Sequence, residues 1–288
     1  MNKIKQIVQD LAQQLMPIYE HQATATDNAW WIIQAITKLS KTELLIKKDI
    51  SLFPEQKTTL AQWVQKLVHE HMPLQYLLGT VPFLDLQIQV KPPILIPRPE
   101  TEEWVANLIK NLKEKNQQPR TILDLCTGSG CIALALAHAF PKSSVSAADI
   151  NPEALTLAQE NAQKNQIKKI KFIESDLFEK IPPQRFDLIV SNPPYIDEKE
   201  WEQLAPEVKL WEDRGALVAP VKGLGLIALI VEQAADFLAP AGHLSIEIGH
   251  KQGPQVNELF KKRGFKEVET VQDLHGKDRV VKGIWKQF

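Results

Sequence analysis

The chain has 288 residues and a formal net charge of -1, with 44% hydrophobic and 24% charged residues. That is the make-up of an ordinary soluble globular protein with room for one or two domains, and its near-neutral balance does not point to a nucleic-acid binder, while leaving room for a local basic patch hidden in the average. The only two cysteines, Cys126 and Cys131, are too few for a secreted disulfide framework and wrongly spaced for zinc, and the N-terminus lacks a continuous apolar run; reduced thiols, no metal, no signal peptide, no membrane span and a cytoplasmic location are expected.

Residues 1–78 read as a small all-helical bundle. Ile4, Ile7, Val8, Leu11 and Leu15 recur at helical spacing. Trp30, Trp31, Ile33, Ala35, Ile36 and Leu39 form a second apolar face, with Asp27 as its expected N-cap. Residues around 42–45 and 58–69 give further helices. From 79 to 99 prolines punctuate the chain, and the alternation over 83–90 predicts a strand in a β-hairpin linker. Residues 101–112 return to helix. From 120 onwards strands and helices alternate: strands over 121–125, 144–150, 170–173, 186–190 and 242–248, with helices over 130–140, 152–164, 223–238 and 252–263. Residues 265–271 and 279–285 close with an antiparallel pair. This order predicts an α/β, doubly wound, mostly parallel sheet for 100–288.

Chemistry collects at the carboxyl ends of successive strands, where open α/β sheets bind ligands. After the first, Asp124-Leu125-Cys126-Thr127-Gly128-Ser129-Gly130 opens a helix, and its glycines let a ligand approach the backbone. The loop is shorter than G-x-G-x-x-G and lacks the Gly-Lys-Ser/Thr of a P-loop. Asp149 ends the second strand, where a carboxylate takes a ribose diol; on its own it would serve as an N-cap for the helix at Pro152. Ser175-Asp176-Leu177-Phe178 follows the third and offers an adenine site.

The fourth strand runs into Asn192-Pro193-Pro194-Tyr195. Two prolines fix φ, donate no backbone hydrogen bond and push each preceding residue out of the helical region. The turn is therefore stiff, with its acceptors outward. It suits holding a planar NH2 group, on a base or on an amide.

In this order the motifs resemble the class I S-adenosylmethionine-dependent methyltransferases that act on planar nitrogens. Leu95-Ile96-Pro97-Arg98-Pro99-Glu100-Thr101-Glu102 is similar to the linker signature of the protein-(glutamine-N5) methyltransferase family. Pro73-Leu74-Gln75-Tyr76-Leu77-Leu78-Gly79, Glu247-Ile248-Gly249 and the segment from Asp273 to Val281 also fit. The resemblance implies a Rossmann-like, seven-stranded methyltransferase domain over 100–288, behind a helical substrate-binding domain over 1–78 and the hairpin linker.

It also implies a site. The cofactor would be S-adenosyl-L-methionine, on Asp124, Cys126, Thr127, Gly128, Ser129, Gly130, Asp149, Asp176, Leu177 and Asn192. The acceptor would be the glutamine of the Gly-Gly-Gln loop of peptide chain release factors, held by Asn192, Pro193, Pro194 and Tyr195, by a monomeric enzyme with no direct nucleic-acid partner. Asn192 Oδ1 and the Pro193 carbonyl would accept the two amide hydrogens, and Tyr195 would pack on the amide plane. A ribosomal-protein glutamine or a nucleic-acid adenine is the alternative acceptor. Cys126 stands where the family usually has glycine, so its Cβ would crowd the methionine end of the cofactor.

Overall fold

The computed structural model describes residues 3–47 and 50–286. It divides into two compact units. One holds the chain up to Gly79 together with Ala205–Trp211; the other holds Thr80–Leu204 and the chain from Glu212.

The helical unit comprises α1 (Lys3–Leu15), α2 (Gln22–Thr37), α3 (Lys41–Ile46), α4 (Pro54–His69) and α5 (Leu74–Leu78). Ile4, Val8, Leu11 and Leu15 of α1 meet Ala25, Ala29 and Ile33 of α2 in one buried cluster with Leu44 and Leu67. Asp27 does not cap α2. The helix starts five residues earlier, after His21, because Ala25 and Ala29 already belong to its buried face, and Asp27 lies exposed within it. Trp30 is buried but Trp31 is 52% exposed, since adjacent residues on a helix point 100° apart. Ser40 and Glu43 form a capping box at α3. Helix α4 begins at Pro54, where the missing N–H of proline costs nothing, rather than near Thr58.

The second unit opens with a hairpin of β1 (Thr80–Phe83) and β2 (Leu86–Gln89). The single strand expected over 83–90 is broken by a turn at Leu84-Asp85, with Leu84 at φ 51° and its N–H given to the Glu102 carboxylate at 2.7 Å. Then come α6 (Pro99–Glu114), β3 (Thr121–Leu125), α7 (Cys131–Ala139), β4 (Ser144–Asp149), α8 (Pro152–Lys164), β5 (Ile170–Glu174) and β6 (Phe186–Ser191). Two short helices follow, α9 (Glu198–Trp201) and α10 (Pro206–Trp211), the latter grouped with the helical unit. The chain ends with α11 (Gly225–Phe237), β7 (Leu238–Glu247), α12 (Gly253–Arg263), β8 (Lys266–Gln272) and β9 (Asp278–Trp285).

The sheet has seven strands in the order β5-β4-β3-β6-β7-β9-β8. Strands β3 to β7 are mutually parallel, and β9 runs antiparallel to both its neighbours. The expected α/β Rossmann-like architecture is therefore present. Ile122, Leu123 and Leu125 of β3 and Leu188, Ile189 and Val190 of β6 are buried, as strands covered on both faces require. From β3 the chain steps outward to β4 and β5, then returns to β6 on the other side. The order reverses there, and a crevice opens at the carboxyl ends of these strands.

Candidate active site

The loop after β3 is shaped from beneath. Asp124 is fully buried, and its Oδ2 accepts from Thr127 Oγ1 at 2.6 Å and from the Ala133 N–H at 3.1 Å. The carboxylate thereby ties the loop to the first turn of α7. Burial pushes its carboxyl up to about 7, against the pull of those two hydrogen bonds. Its Oδ1 has no partner among the described residues. Gly130 adopts φ +82°, and a Cβ there would stand 2.9 Å from Ala158 Cβ, so only glycine lets α7 and α8 pack this closely.

Asp149 ends β4. Its Oδ2 accepts from the Gly128 N–H at 2.8 Å, and its Oδ1 from the Asn151 N–H at 2.9 Å. It does not cap α8. Asn151 does, taking the Glu153 N–H, because it is the residue directly before Pro152. Burial raises the Asp149 carboxyl while the backbone donors lower it.

Around these groups lies a cavity of about 310 Å³. Its walls are Cys126 and Gly128 after β3, Asp149 and Ile150 after β4, Asp176 and Leu177 after β5, and Asn192 and Pro194 after β6; Ile94, Leu95, Asp213 and Leu226 close it. Among the expected cofactor residues, Cys126, Gly128, Asp149, Asp176, Leu177 and Asn192 meet here. Asp124, Thr127, Ser129 and Gly130 do not line the cavity, because the loop folds over them and their bonds run back into the protein. Cys126 lies at φ 58°, a left-handed backbone that favours glycine, and is one of the residues of the cavity wall.

Pro193 and Tyr195 do not reach this cavity either. With Arg98, Ile196 and Leu217 they line a much smaller hollow of about 20 Å³, which shares Leu95, Asn192, Pro194 and Ala216 with the larger one. Asn192 thus stands in the wall common to both. Among the described residues, nothing donates to its Oδ1 or to the Pro193 carbonyl. The turn is held from outside by Gln252, whose Nε2 donates to the Tyr195 carbonyl at 2.9 Å. Gly223 must be glycine, since a Cβ would fall 2.0 Å from that same oxygen. Arg98 pairs with the buried Glu212 carboxylate, and the Asp213 N–H donates to the Pro93 carbonyl, so the linker is fastened to the segment after α10.

Thr101, Glu247 and Tyr195 each belong to a motif named above, but the chain's sequence did not show that they meet behind Asn192. Glu247, 1% exposed at the end of β7, accepts from Thr101 Oγ1 and from Trp104 Nε1, each at 2.7 Å on Oε2, and from the Tyr195 hydroxyl at 3.2 Å on Oε1. Thr101 Oγ1 in turn accepts from Asn192 Nδ2 at 3.3 Å. Burial pushes both the Glu247 carboxyl and the Tyr195 phenol upward. The available signal was a glutamate standing between Ile246 and Ile248 in an apolar strand, where a charge needs partners.

The arrangement is a cavity with carboxylates at two strand ends, sharing Asn192 and Pro194 with a slot that carries two unclaimed acceptors. Comparison with known proteins gives the same outline. The model of the methyltransferase small domain matches residues 105–210, and that of the PrmC N-terminal domain matches residues 6–79. A release factor glutamine methyltransferase of Streptococcus pneumoniae is 36% identical over 280 residues, covering 97% of each chain. One from Geobacter sulfurreducens is 39% identical over 253 residues, covering 88% of this chain and 87% of its own. Among solved structures, the Thermus thermophilus 16S rRNA N2 G1207 methyltransferase, in complex with AdoMet and guanosine, has the same fold. It superimposes with a TM-score of 0.54 at 21% identity, covering 72% of this chain and 50% of its own.

Proposed function

The chain belongs to the release factor glutamine methyltransferase family, and on that footing we propose that it methylates the side-chain amide nitrogen of the glutamine in the Gly-Gly-Gln loop of peptide chain release factors. The methyl donor is S-adenosyl-L-methionine. The cavity fits such a group: the Cβ position of Gly128 faces open space, a carboxylate stands at the end of β4, and apolar Ile150 and Leu177 flank it. Asp149 would hold the ribose diol, Asp176 and Leu177 the adenine, and the backbone at Cys126 and Gly128 the methionine end. Asp124, Thr127, Ser129 and Gly130 keep that loop in shape from below. When bound, the cofactor supplies an electrophilic sulfonium methyl.

The rest of the task falls to the chain. An amide nitrogen is a weak nucleophile because its lone pair is shared with the carbonyl, so the protein must orient it. The observation that carries this reading is the pair of unclaimed acceptors, Asn192 Oδ1 on the residue shared by cavity and slot and the carbonyl of Pro193, which lines the slot. Two acceptors match the two hydrogens of a planar NH2 and stabilise the positive charge that grows on nitrogen. The stiffness of the Pro193-Pro194 turn keeps them in place before the substrate arrives. Tyr195 closes the slot with its hydroxyl tied back to Glu247. The methyl leaves sulfur as a neutral thioether, and the methylated nitrogen, now strongly acidic, gives its extra proton to water, so no base need stand in the slot. The helical unit, which exposes Trp31, Ile46 and Phe53, is assigned to release factor recognition, and that substrate puts the reaction in the cytoplasm.

The test is incubation with cofactor and purified release factors, followed by mass spectrometry of the Gly-Gly-Gln peptide. A gain of one methyl on its glutamine is expected. An unmodified peptide beside a methylated ribosomal protein or a methylated adenine would replace the proposed substrate.

A further inference from the structure

We infer that Thr101, gripped by Glu247, decides which end of the Asn192 carboxamide faces the acceptor, which makes both of them positioning residues for methyl transfer. The inference rests on the function proposed above. A carboxamide is nearly symmetric in shape but opposite in sense at its two ends, with two donors on nitrogen and an acceptor on oxygen. With the nitrogen turned to the slot, Asn192 would oppose NH2 to NH2 and hold nothing. Shape alone does not choose between the two orientations.

The choice is made by the direction of the hydrogen bonds behind it. Trp104 Nε1 can only donate, so Glu247 Oε2, at 2.7 Å, is an acceptor. Thr101 Oγ1 also lies 2.7 Å from Oε2 and gives it its one hydroxyl proton. What Thr101 has left for Asn192, at 3.3 Å, is a lone pair. Only Nδ2 can satisfy a lone pair, so Oδ1 points the other way, toward the wall of the slot. The Tyr195 hydroxyl occupies Oε1. If Glu247 takes up a proton, that proton belongs on Oε1, because Oε2 already serves two donors, and the sense of the relay is unchanged. Thr101 sits in the first turn of α6 and Glu247 at the end of β7, so the linker signature and the strand end act together through one hydroxyl. Within Pro97-Arg98-Pro99-Glu100-Thr101, the threonine therefore has a defined task.

The test compares Thr101→Val, Thr101→Ala and Thr101→Ser with the wild-type chain, reading kcat on purified release factor and cofactor Kd by calorimetry. Loss of the hydroxyl in the Val and Ala variants should lower kcat about 10- to 100-fold, the effect of a misaligned reacting group. Cofactor Kd should stay within about twofold, because the Thr101 side chain is absent from the cavity wall. Thr101→Ser, which keeps the hydroxyl, should restore kcat to within a few-fold of wild type. Wild-type kcat in both Val and Ala variants would overturn the inference, as would a Ser variant as slow as they are. If the Val variant no longer binds cofactor, the Ala variant decides, and equal losses in its kcat and cofactor affinity count against the inference. A wild-type chain inactive on release factors would instead sink the proposed function, so the two failures are told apart.

Discussion

At Asn192 the amide nitrogen is engaged by Thr101, and in the proposed function the oxygen serves the acceptor. Asn192→Ala should therefore cut kcat by about 100-fold or more, the scale of losing one preorganised partner of the developing charge. Calorimetry should find cofactor affinity changed only a few-fold, since the many other cavity residues remain; equal loss of both would contradict the role. Asp124 gives a prediction of a different kind. Its folded carboxyl is raised to about 7 from an ordinary 3.8, so between those values the folded state holds a proton that the unfolded state has released. The stability due to this group is full below about 4 and falls as pH rises to 7, by about 1.4 kcal/mol per pH unit inside that window. Asp124→Asn removes the titration while keeping an oxygen for Thr127 and Ala133. Urea midpoints at pH 5 and pH 8 should show the variant gaining on wild type at the higher pH; parallel shifts would refute it. The turn Asn192-Pro193-Pro194-Tyr195 was legible because proline constrains its immediate neighbours. Thr101 and Glu247 stood out only as parts of motifs; their contacts were not legible, since their partners lie 91 and 146 positions away along the chain.

Helix α8 and strand β2 show how one element completes another. Asn161 Oδ1 accepts from the Gln89 N–H at 2.6 Å and its Nδ2 donates to the Gln89 carbonyl at 3.1 Å. Asn165 does the same for Gln87, with both bonds at 3.0 Å. Four residues of helix rise about 6 Å, close to the roughly 6.7 Å spanned by two residues of strand, so the two carboxamides pair with alternate residues of the strand edge. Asn161 Nδ2 also donates to the Ser129 carbonyl at 2.9 Å, which joins the hairpin to the glycine loop. Asn161→Ala should cost about 2–3 kcal/mol and the more exposed Asn165→Ala about 1 kcal/mol, read from urea midpoints at constant m. Only the Asn161 variant should weaken cofactor binding as well. At this scale the sequence was readable wherever periodicity ran long, as in α8, and blurred where it was short. The hairpin turn at Leu84-Asp85 passed for strand because Leu84 and Leu86 keep the alternation across it. Helices α9 and α10, of 4 and 6 residues, are too short to show a period.

Two units, each with its own apolar cluster, predict unfolding that is not a single two-state transition. Scanning calorimetry should give a calorimetric enthalpy above the van't Hoff value. Cofactor should shift only the transition of the sheet unit, by about 2.7 kcal/mol at a hundredfold excess over Kd. Leu67→Ala, in the helical core, should lower the other; one transition that moves with both changes would disprove this. The sequence by itself determined the alternation of strands and helices, the carboxyl ends at which Gly128, Asp149, Asp176 and Asn192 appear, and the stiff turn that follows β6. These follow from side-chain period and backbone sterics, which act between neighbours along the chain. Only the tertiary structure decided that Ala205–Trp211 joins the helical unit, with Trp211 Nε1 donating to the Glu70 carbonyl, that Asp124 supports its loop from beneath, and that Glu247 and Thr101 stand behind Asn192. Burial and the sense of a hydrogen bond depend on which groups folding brings together, and those partners lie far apart in the chain.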